Sequence, residues 1–412
     1  MKLLLSAYAC EPNKGSELGN GWNWALECAR LGYEVWCLTT PDGKANIEAE
    51  LNLVKEPNLH MVYVSVPEWV NKASNYQAGV YLHYLYWQQV AYKKAKELSQ
   101  KINFDVVHHI TLGSLQMSTA LWRLKKPLIF GPVGGGQKAH GALKKYFYHW
   151  LKMEVARDIV SMLLVKFNPN VRNTMRYASK ILVTNEDTYK LARDNGASNP
   201  EMFLDTSLPE SFYPKQMPQR NRTGVLKILW VGRVYPRKGL PLVLDALSKV
   251  RKDLNFELTL IGDGPAGYMI PQWLKQFELE DKVKVMGQVP WEKVQQAYLT
   301  HDLFFFCSLR DSFASQYLEA MAYGLPLISL NLYGVKAFVP DNAAIKITPT
   351  TAEQTCEELA KAVEYFYDNP EELKRYGENA FVYAKEHTFK KKIDQISAYY
   401  NAYAPVRQEV LH

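Results

Sequence analysis

The chain has 412 residues, 47% of them hydrophobic and 22% charged, with 49 Lys and Arg against 42 Asp and Glu. This composition buries ordinary cores and excludes a disordered or fibrous protein, and the length suits two or three domains. A net charge of +7 is compatible with phosphate-bearing ligands, anionic lipid or nucleic acid and does not choose among them. The five cysteines, Cys10, Cys28, Cys37, Cys307 and Cys356, are odd in number, far apart and without a C-x-x-C pair. They predict neither a disulfide framework nor a zinc site, and fit a reducing compartment.

The opening MKLLLSAYAC resembles a leader segment, but the apolar run is too short and reads better as a buried first strand, Lys2 to Tyr8. No later apolar stretch approaches the ~20 residues a spanning helix needs. The chain reads as a cytoplasmic protein, soluble or peripheral at the inner face of a membrane. A helix from Trp22 to Leu31 follows, then the strands EVWCLTT and HMVYVSV, a long helix through Lys101, and the strands DVVHHI, PLIFG and KILVTN. Alternating strands and helices of this kind predict a mainly parallel sheet. A proline-bearing stretch, Leu208 to Thr223, reads as a linker.

After the linker the rhythm restarts: KILWVG, a helix from Leu240 to Val250, FELTLIG, a helix around Trp273, VKVMG, a helix near Val294, LFFFCS, a helix from Ser315 to Tyr323, and PLISL. The expected fold class is therefore α/β, with two βα domains of comparable size: residues 1–207 and 208–389. A helical segment follows Phe389. Ligands of such open sheets lie beyond the carboxyl ends of the strands, so the two domains are expected to face each other across a cleft.

The densest chemical constellation is DSFASQYLEAMAYGLPLISL, Asp311 to Leu330. The N–H groups of Ser312, Phe313, Ala314 and Ser315, ahead of a helix, suit an anion. Glu319 stands one turn further in, where it could accept hydrogen bonds from ribose hydroxyls. The plainer alternative makes Asp311 a helix cap and Glu319 a solvated residue. In WVGRVYPRKG, Arg233 and Lys238 stand on the loop beyond a strand, where two cations could neutralise a diphosphate; the alternative is two solvated surface cations.

GRVYPRKG, LIGDGP, VKVMGQVP and the paired acids with EAMAYGLPLI occur in that order. Together they resemble the donor domain of the retaining GT-B glycosyltransferases of family 4 (glycosyl transferases group 1). The resemblance implies a GT-B fold of two Rossmann-like domains, with the C-terminal helix, residues 390–412, packing back on the first. It implies transfer of a sugar from a nucleotide-diphosphate donor, a UDP- or GDP-sugar, to a hydroxyl of a glycan or lipid-linked acceptor. It implies no cofactor: with no Asp-x-Asp in the chain, metal is not expected and protein cations take its role. Arg233 and Lys238 would bind the donor phosphates and Glu319 the ribose, Gly262 and Gly264 would line the nucleotide pocket, and the backbone near Val289 would touch the base. Asp311 stands where the family usually has Glu, and Ala314 where a glycine is common.

Gly262, Gly264 and Gly267 also form a G-x-G-x-x-G, but Pro265 interrupts it and no strand-ending acid follows at the distance a dinucleotide site needs. GPVGGGQK fails as a phosphate loop because Gln137 separates the glycines from Lys138. A nucleotide-sugar epimerase, a phosphorylase on the same fold, or a non-catalytic sensor are the competing readings.

In the first half, ACEPNKGSELGNG places Gly15, Ser16 and Glu17 in the first strand-to-helix turn, where the resemblance has Gly15 face the donor and Ser16 and Glu17 the acceptor. DVVHHI ends a strand at His108 and His109, one of which the resemblance would set beside the reacting carbon. They complete a candidate catalytic set of His108, His109, Asp311, Arg233 and Lys238. Gly134, Gly135 and Gly136 are expected as a flexible acceptor-side wall or a mobile lid. From Lys138 to Lys180 nine Lys and Arg face only Glu154 and Asp158, with Tyr146, Phe147, Tyr148, Trp150 and Phe167 interleaved. This could form a basic aromatic face for an anionic membrane, or an ordinary solvated helix; nucleic acid is not an expected partner.

Overall fold

A computed structural model describes residues 1–73, 77–220 and 224–404. Residues 221–223 of the expected linker and 405–412 of the expected C-terminal helix lie outside the described residues. The chain divides into two compact units, the first formed by Met1–Gly136, Val160–Ser207 and the chain from Phe389 on, the second by Gln137–Ile159 and Leu208–Thr388.

The first unit is built on β1 (Lys2–Ala7), β2 (Glu34–Thr39), β3 (Leu59–Tyr63), β4 (Val106–Thr111), β5 (Leu128–Val133), β6 (Lys180–Val183) and β7 (Pro200–Met202). They form one parallel sheet in the order β3-β2-β1-β4-β5-β6-β7. Both faces are covered, which explains why β1 carries apolar residues at the consecutive positions Leu3, Leu4 and Leu5 rather than alternating. Leu3, Leu5 and Ala7 pack with Trp24, Cys28 and Tyr400 on one side. Leu4 packs with Trp87 and Phe104 on the other. The first helix, Ser16–Arg30, starts earlier than its sequence suggests, because Gly19 and Gly21 lie inside it. A Cβ at these positions would stand 1.9 Å from the Lys14 carbonyl oxygen and 2.1 Å from that of Ala9, so their bare Cα atoms admit the protein's own loop.

The second unit contains β8 (Leu226–Val231), β9 (Phe256–Ile261), β10 (Val283–Gly287), β11 (Leu303–Phe305), β12 (Leu327–Leu330) and β13 (Ala344–Ile347). Its sheet is also parallel, in the order β10-β9-β8-β11-β12-β13. The strand order reverses between β1 and β4 in the first sheet and between β8 and β11 in the second. Loops leaving the two strands at such a point diverge and open a crevice.

Residues 137–159 differ from the expected division, which placed them in the first domain. They belong to the second unit because their polar and aromatic groups find partners there. Tyr146 Oη donates to Asp245 Oδ2 at 2.7 Å, Tyr148 stacks on Trp273 with ring centres 5.8 Å apart, and Trp150 lies 5.0 Å from the Tyr235 ring. Tyr146 and Phe147 are buried. Four of the five aromatic residues expected on a membrane-facing surface are therefore turned into or against the second unit. Phe167 alone of the five is exposed.

The helix Phe389–Tyr403 closes the first unit by placing Ile393, Ile396 and Tyr400 in its core. Tyr400 Oη accepts from Trp24 Nε1 at 3.1 Å and lies 2.6 Å from His108 Nδ1, to which it donates. Tyr400→Phe keeps the packing but strands both partners in a dry core, so it should cost about 1–3 kcal/mol. Urea unfolding followed by tryptophan fluorescence measures this; an unchanged midpoint would mean the network contributes nothing.

Candidate functional site

The loop after β8 and the loop after β11 meet at the switch point of the second sheet. Gly239 ends a single 3-10 turn, Pro236–Lys238, with φ of 73°. A Cβ there would stand 1.8 Å from the Cys307 carbonyl oxygen, so only glycine lets this loop press against the end of β11. Leu309 N–H and Ser308 Oγ both donate to the Arg237 carbonyl, at 2.8 and 3.1 Å. These bonds set the register between the loops and bring Lys238 onto Asp311.

Asp311 is held on every side. Its Oδ2 pairs with Lys238 Nζ and lies 3.6 Å from Arg237 and 3.4 Å from Ser308 Oγ. Its Oδ1 accepts from the Ser312 N–H at 3.1 Å. Burial alone would push the carboxyl up, but Lys238 and Arg237 outweigh it and hold it at about 2. Burial likewise pulls the Lys238 ammonium below its usual range, against the opposing pull of Asp311. Arg310, directly before Asp311, adds another cation and is paired with the buried Glu154. Arg233 is exposed at the start of the β8 loop. The loop pair thus carries more positive than negative charge, which suits a polyanion.

The helix Ser315–Ala322 begins at Ala314 with no side-chain cap. Ser312 already donates its N–H to Asp311, so of the four expected anion donors it is the one engaged within the protein. Its hydroxyl accepts from Gln137 Nε2 at 3.1 Å. Phe313 and Ala314 are buried at the helix start, beside a recess also lined by Ser308, Asp311 and Gly334. Glu319 lies one turn beyond Ser315 on the same helix face. Tyr298 Oη donates to its Oε2 at 3.0 Å. Burial pushes this carboxyl above its usual range, with hydrogen bonds from Ser315 and Tyr298 pulling the other way.

Gly262 and Gly264, beyond β9, join the same carboxyl edge, yet their bare Cα atoms first serve chain packing. A Cβ on Gly262 would stand 1.9 Å from the Gly232 oxygen, and one on Gly264 2.5 Å from that of Val234. Val234 N–H donates to the Asp263 carbonyl at 3.0 Å and zips the β8 and β9 loops together. Val289 stands, half-buried, in the turn after β10.

In the first unit, Gly15 is the exposed N-terminal cap of the helix Ser16–Arg30, and Ser16, also exposed, has φ of 56°. Glu17 Oε1 accepts from the Gly113 N–H at 3.0 Å and ties the first turn of that helix to the β4 loop across that sheet's own switch point. Burial pushes this carboxyl up to about 7, against the Gly113 hydrogen bond and helped by the charge of Asp205.

Two expectations for this unit are overturned. His108 and His109 are both buried, because both faces of the sheet are covered and neighbouring residues on β4 each enter a core. His108 Nε2 donates to the Gly131 carbonyl at 2.6 Å, and His109 lies between Ser6 Oγ at 3.0 Å and Tyr84 Oη at 3.1 Å. Burial lowers the rings to about 4 and about 3, so both are neutral structural groups, and neither reaches solvent. Gly134, Gly135 and Gly136 are pinned rather than lid-like. Gly134 N–H donates to the Gly113 carbonyl at 2.9 Å, and Gly136 N–H to Thr188 Oγ1 at 3.0 Å. A Cβ on Gly135 would stand 2.1 Å from Gln116 Oε1.

Sequence reasoning missed Arg237, Arg310 and Tyr298. Arg237 adjoins Lys238 and Arg310 adjoins Asp311, so proximity to the two motifs was a usable signal. Tyr298 reaches Glu319 from another helix, and no spacing announces it.

Two doubly wound parallel sheets, with a cationic loop pair and a helix start at the switch point of the second, define the GT-B class of fold. Known proteins agree with it. Residues 214–382 match the family of glycosyl transferases group 1. A phosphatidylinositol N-acetylglucosaminyltransferase component from Arabidopsis thaliana is 26% identical over 185 residues, 43% of this chain and 40% of that protein. N-acetyl-alpha-D-glucosaminyl L-malate synthase of Bacillus anthracis is 24% identical over 349 residues, 81% of this chain and 80% of that protein. The solved sucrose-phosphate synthase of Thermosynechococcus elongatus superposes with a TM-score of 0.70 at 16% identity, covering 97% of this chain and 98% of that one. The chain spans about two fifths of the length of the eukaryotic relatives it matches. The likeness to the glycosyl transferases group 1 family lies in the second unit, over about two fifths of the chain.

The raised Glu17 carboxyl has a consequence for stability. Its folded-state value near 7 lies above the ordinary carboxyl value, so the folded chain retains a proton the unfolded chain has released, and stability falls as pH rises from about 4.5 to about 7. Glu17→Gln keeps the oxygen facing Gly113 and cannot ionise. It should raise Tm by a few degrees at pH 8 and lose most of that gain at pH 5. An equal Tm difference at both pH values would show that Glu17 ionises as freely folded as unfolded.

Proposed function

We propose that this protein is a retaining glycosyltransferase of hexosyl type. It moves a sugar from a nucleotide-diphosphate donor to a hydroxyl acceptor, in the synthesis of a polysaccharide, glycolipid or other glycoconjugate. The observation that carries the reading is the meeting of Lys238, Arg237 and Asp311 beside the uncapped start of the helix Ser315–Ala322. A diphosphate is the ligand this arrangement suits: cations for its charge, backbone N–H groups for its oxygens, and Glu319 one turn away for the ribose. The Arabidopsis and Bacillus relatives are both named for an N-acetylglucosaminyl group, which supports a hexose-type donor. A UDP- or GDP-sugar is the donor proposed.

Charge develops on the leaving diphosphate as its bond to the sugar breaks. Lys238, Arg237 and Arg233 stabilise it there, in the role that a metal ion takes elsewhere. Lys238 is pre-positioned by Asp311, so the cation is not reorganised when charge appears. The acceptor hydroxyl attacks from the face the diphosphate leaves, and its proton passes to the departing phosphate oxygen, which gives retention without a dedicated protein base. Being buried, neither His108 nor His109 enters this scheme. The acceptor is a glycan or a lipid-linked sugar, met by a cytoplasmic protein at the inner face of a membrane.

Lys238→Ala should lower kcat by on the order of 10²–10³-fold, the effect of removing one charge stabiliser. Lys238→Arg, which keeps the charge beside Asp311, should recover part of it. Near-normal turnover in Lys238→Ala would sink the assignment. Donor identity is read by thermal shift against UDP-, GDP- and ADP-sugars, where a ligand at 100 times its Kd stabilises by about 2.7 kcal/mol. If none of the three raises Tm, the site is not a nucleotide-sugar site.

A further inference from the structure

We propose that the helix Leu151–Phe167 lies flat on an anionic lipid bilayer through a face made mainly of aliphatic side chains. Met153, Val155, Ile159, Val160, Met162, Leu163 and Phe167 are all exposed, Ile159 by 50%, Met162 by 57% and Phe167 by 64%. Positions 152, 155, 156, 159, 160, 163, 166 and 167 recur at three- and four-residue spacing, so this is one continuous stripe rather than scattered exposure. A solvated helix covering a core carries polar residues on its outer face. This one carries large apolar residues there, a patch of the sort that marks an interaction surface.

Charge selects the occupant. Lys152 and Lys166 stand at the two ends of the stripe, both exposed, with Lys166 Nζ 5.5 Å from the Phe167 ring centre. The helix's two carboxylates are withdrawn: Glu154 is buried between Arg157 and Arg310, and Asp158 is paired with Arg157. In the chain on either side of the helix, Lys138, Lys144, Lys145, Arg172 and Arg176 are exposed. An apolar stripe tipped by lysines, on a helix with no free carboxylate, matches acyl chains beneath anionic headgroups. At 17 residues with two lysines on its outer face the helix suits the interface plane, and no described helix is long and apolar enough to cross a membrane. Bilayer attachment is independent of the donor chemistry, so the failure of either leaves the other standing.

The test is sedimentation of the full chain with vesicles of phosphatidylcholine alone, or with roughly a third phosphatidylglycerol. Wild type should partition onto the anionic vesicles at least tenfold more strongly, and the preference should shrink in high salt. The double substitution Ile159→Ser and Leu163→Ser should lower binding about tenfold with an unchanged circular dichroism spectrum and Tm. If that variant unfolds, the pair Lys152→Glu and Lys166→Glu decides, and should lower binding more than tenfold, since each basic residue near an anionic surface is worth on the order of fivefold. Equal partitioning onto the two vesicles, or wild-type binding by the folded or charge-reversed variants, overturns the proposal. So does a wild-type dimer in sedimentation velocity that the serine variant dissolves without any vesicle binding, which would give the stripe to a second copy of the chain.

Discussion

The ion pair between Lys238 and Asp311 fastens together the two loops that leave the second sheet where its strand order reverses. Neither partner would sit there alone, because a buried ammonium or carboxylate without an opposite charge costs several kcal/mol. Together they form a fixed dipole at the mouth of the β8 and β11 loops. The shorter Asp reach matters here: Asp311 spends both oxygens within the protein, on Lys238, Ser308 and Ser312. Its direct effect is to position the Lys238 cation.

The same economy governs the glycines. Gly239, Gly262 and Gly264 each lack a Cβ where a neighbouring carbonyl oxygen would collide with it. The loops beyond β8, β9 and β11 can therefore nest, and nesting brings Arg237, Lys238 and the helix start into one region. A glycine-rich turn in the sequence suggests room for a ligand, but here much of that room is filled by backbone. In the first unit Gly135 and Gly136 are filled in the same way, by Gln116 and by the backbone of Asp187. Gly15 is different: nothing lies near its missing Cβ, and it remains open to a ligand.

The excursion of residues 137–159 joins the loop after β11 to the helix Leu151–Phe167. Gln137 reaches Ser312, and Glu154 neutralises Arg310 next to Asp311, so this segment braces the donor-side loop from behind. Bracing buries Tyr146 and Glu154 and half-buries Tyr148 and Trp150. What remains outside on the helix Leu151–Phe167 is the aliphatic stripe and its lysines. One helix thus presents its inner charges to the site and its outer face to a different environment.

The sequence by itself determined the parallel character of both sheets, eleven of their strands within about three residues, and the motifs that mark the second unit, because apolar period and motif order are local properties; it missed the edge strands β7 and β13. It also determined that Lys238, Asp311 and Glu319 would stand near a strand's carboxyl end. Only the tertiary structure decided what each side chain meets there. His108 and His109 looked alternately inward and outward, and both proved to be core because helices cover both faces of β4. The aromatic residues of 137–159 looked like a membrane face, and their partners Trp273, Tyr235 and Asp245 lie about a hundred positions away in the chain. Partners that distant leave no trace in local spacing, whereas burial, ion pairing and the exposed stripe are settled by which surfaces come together.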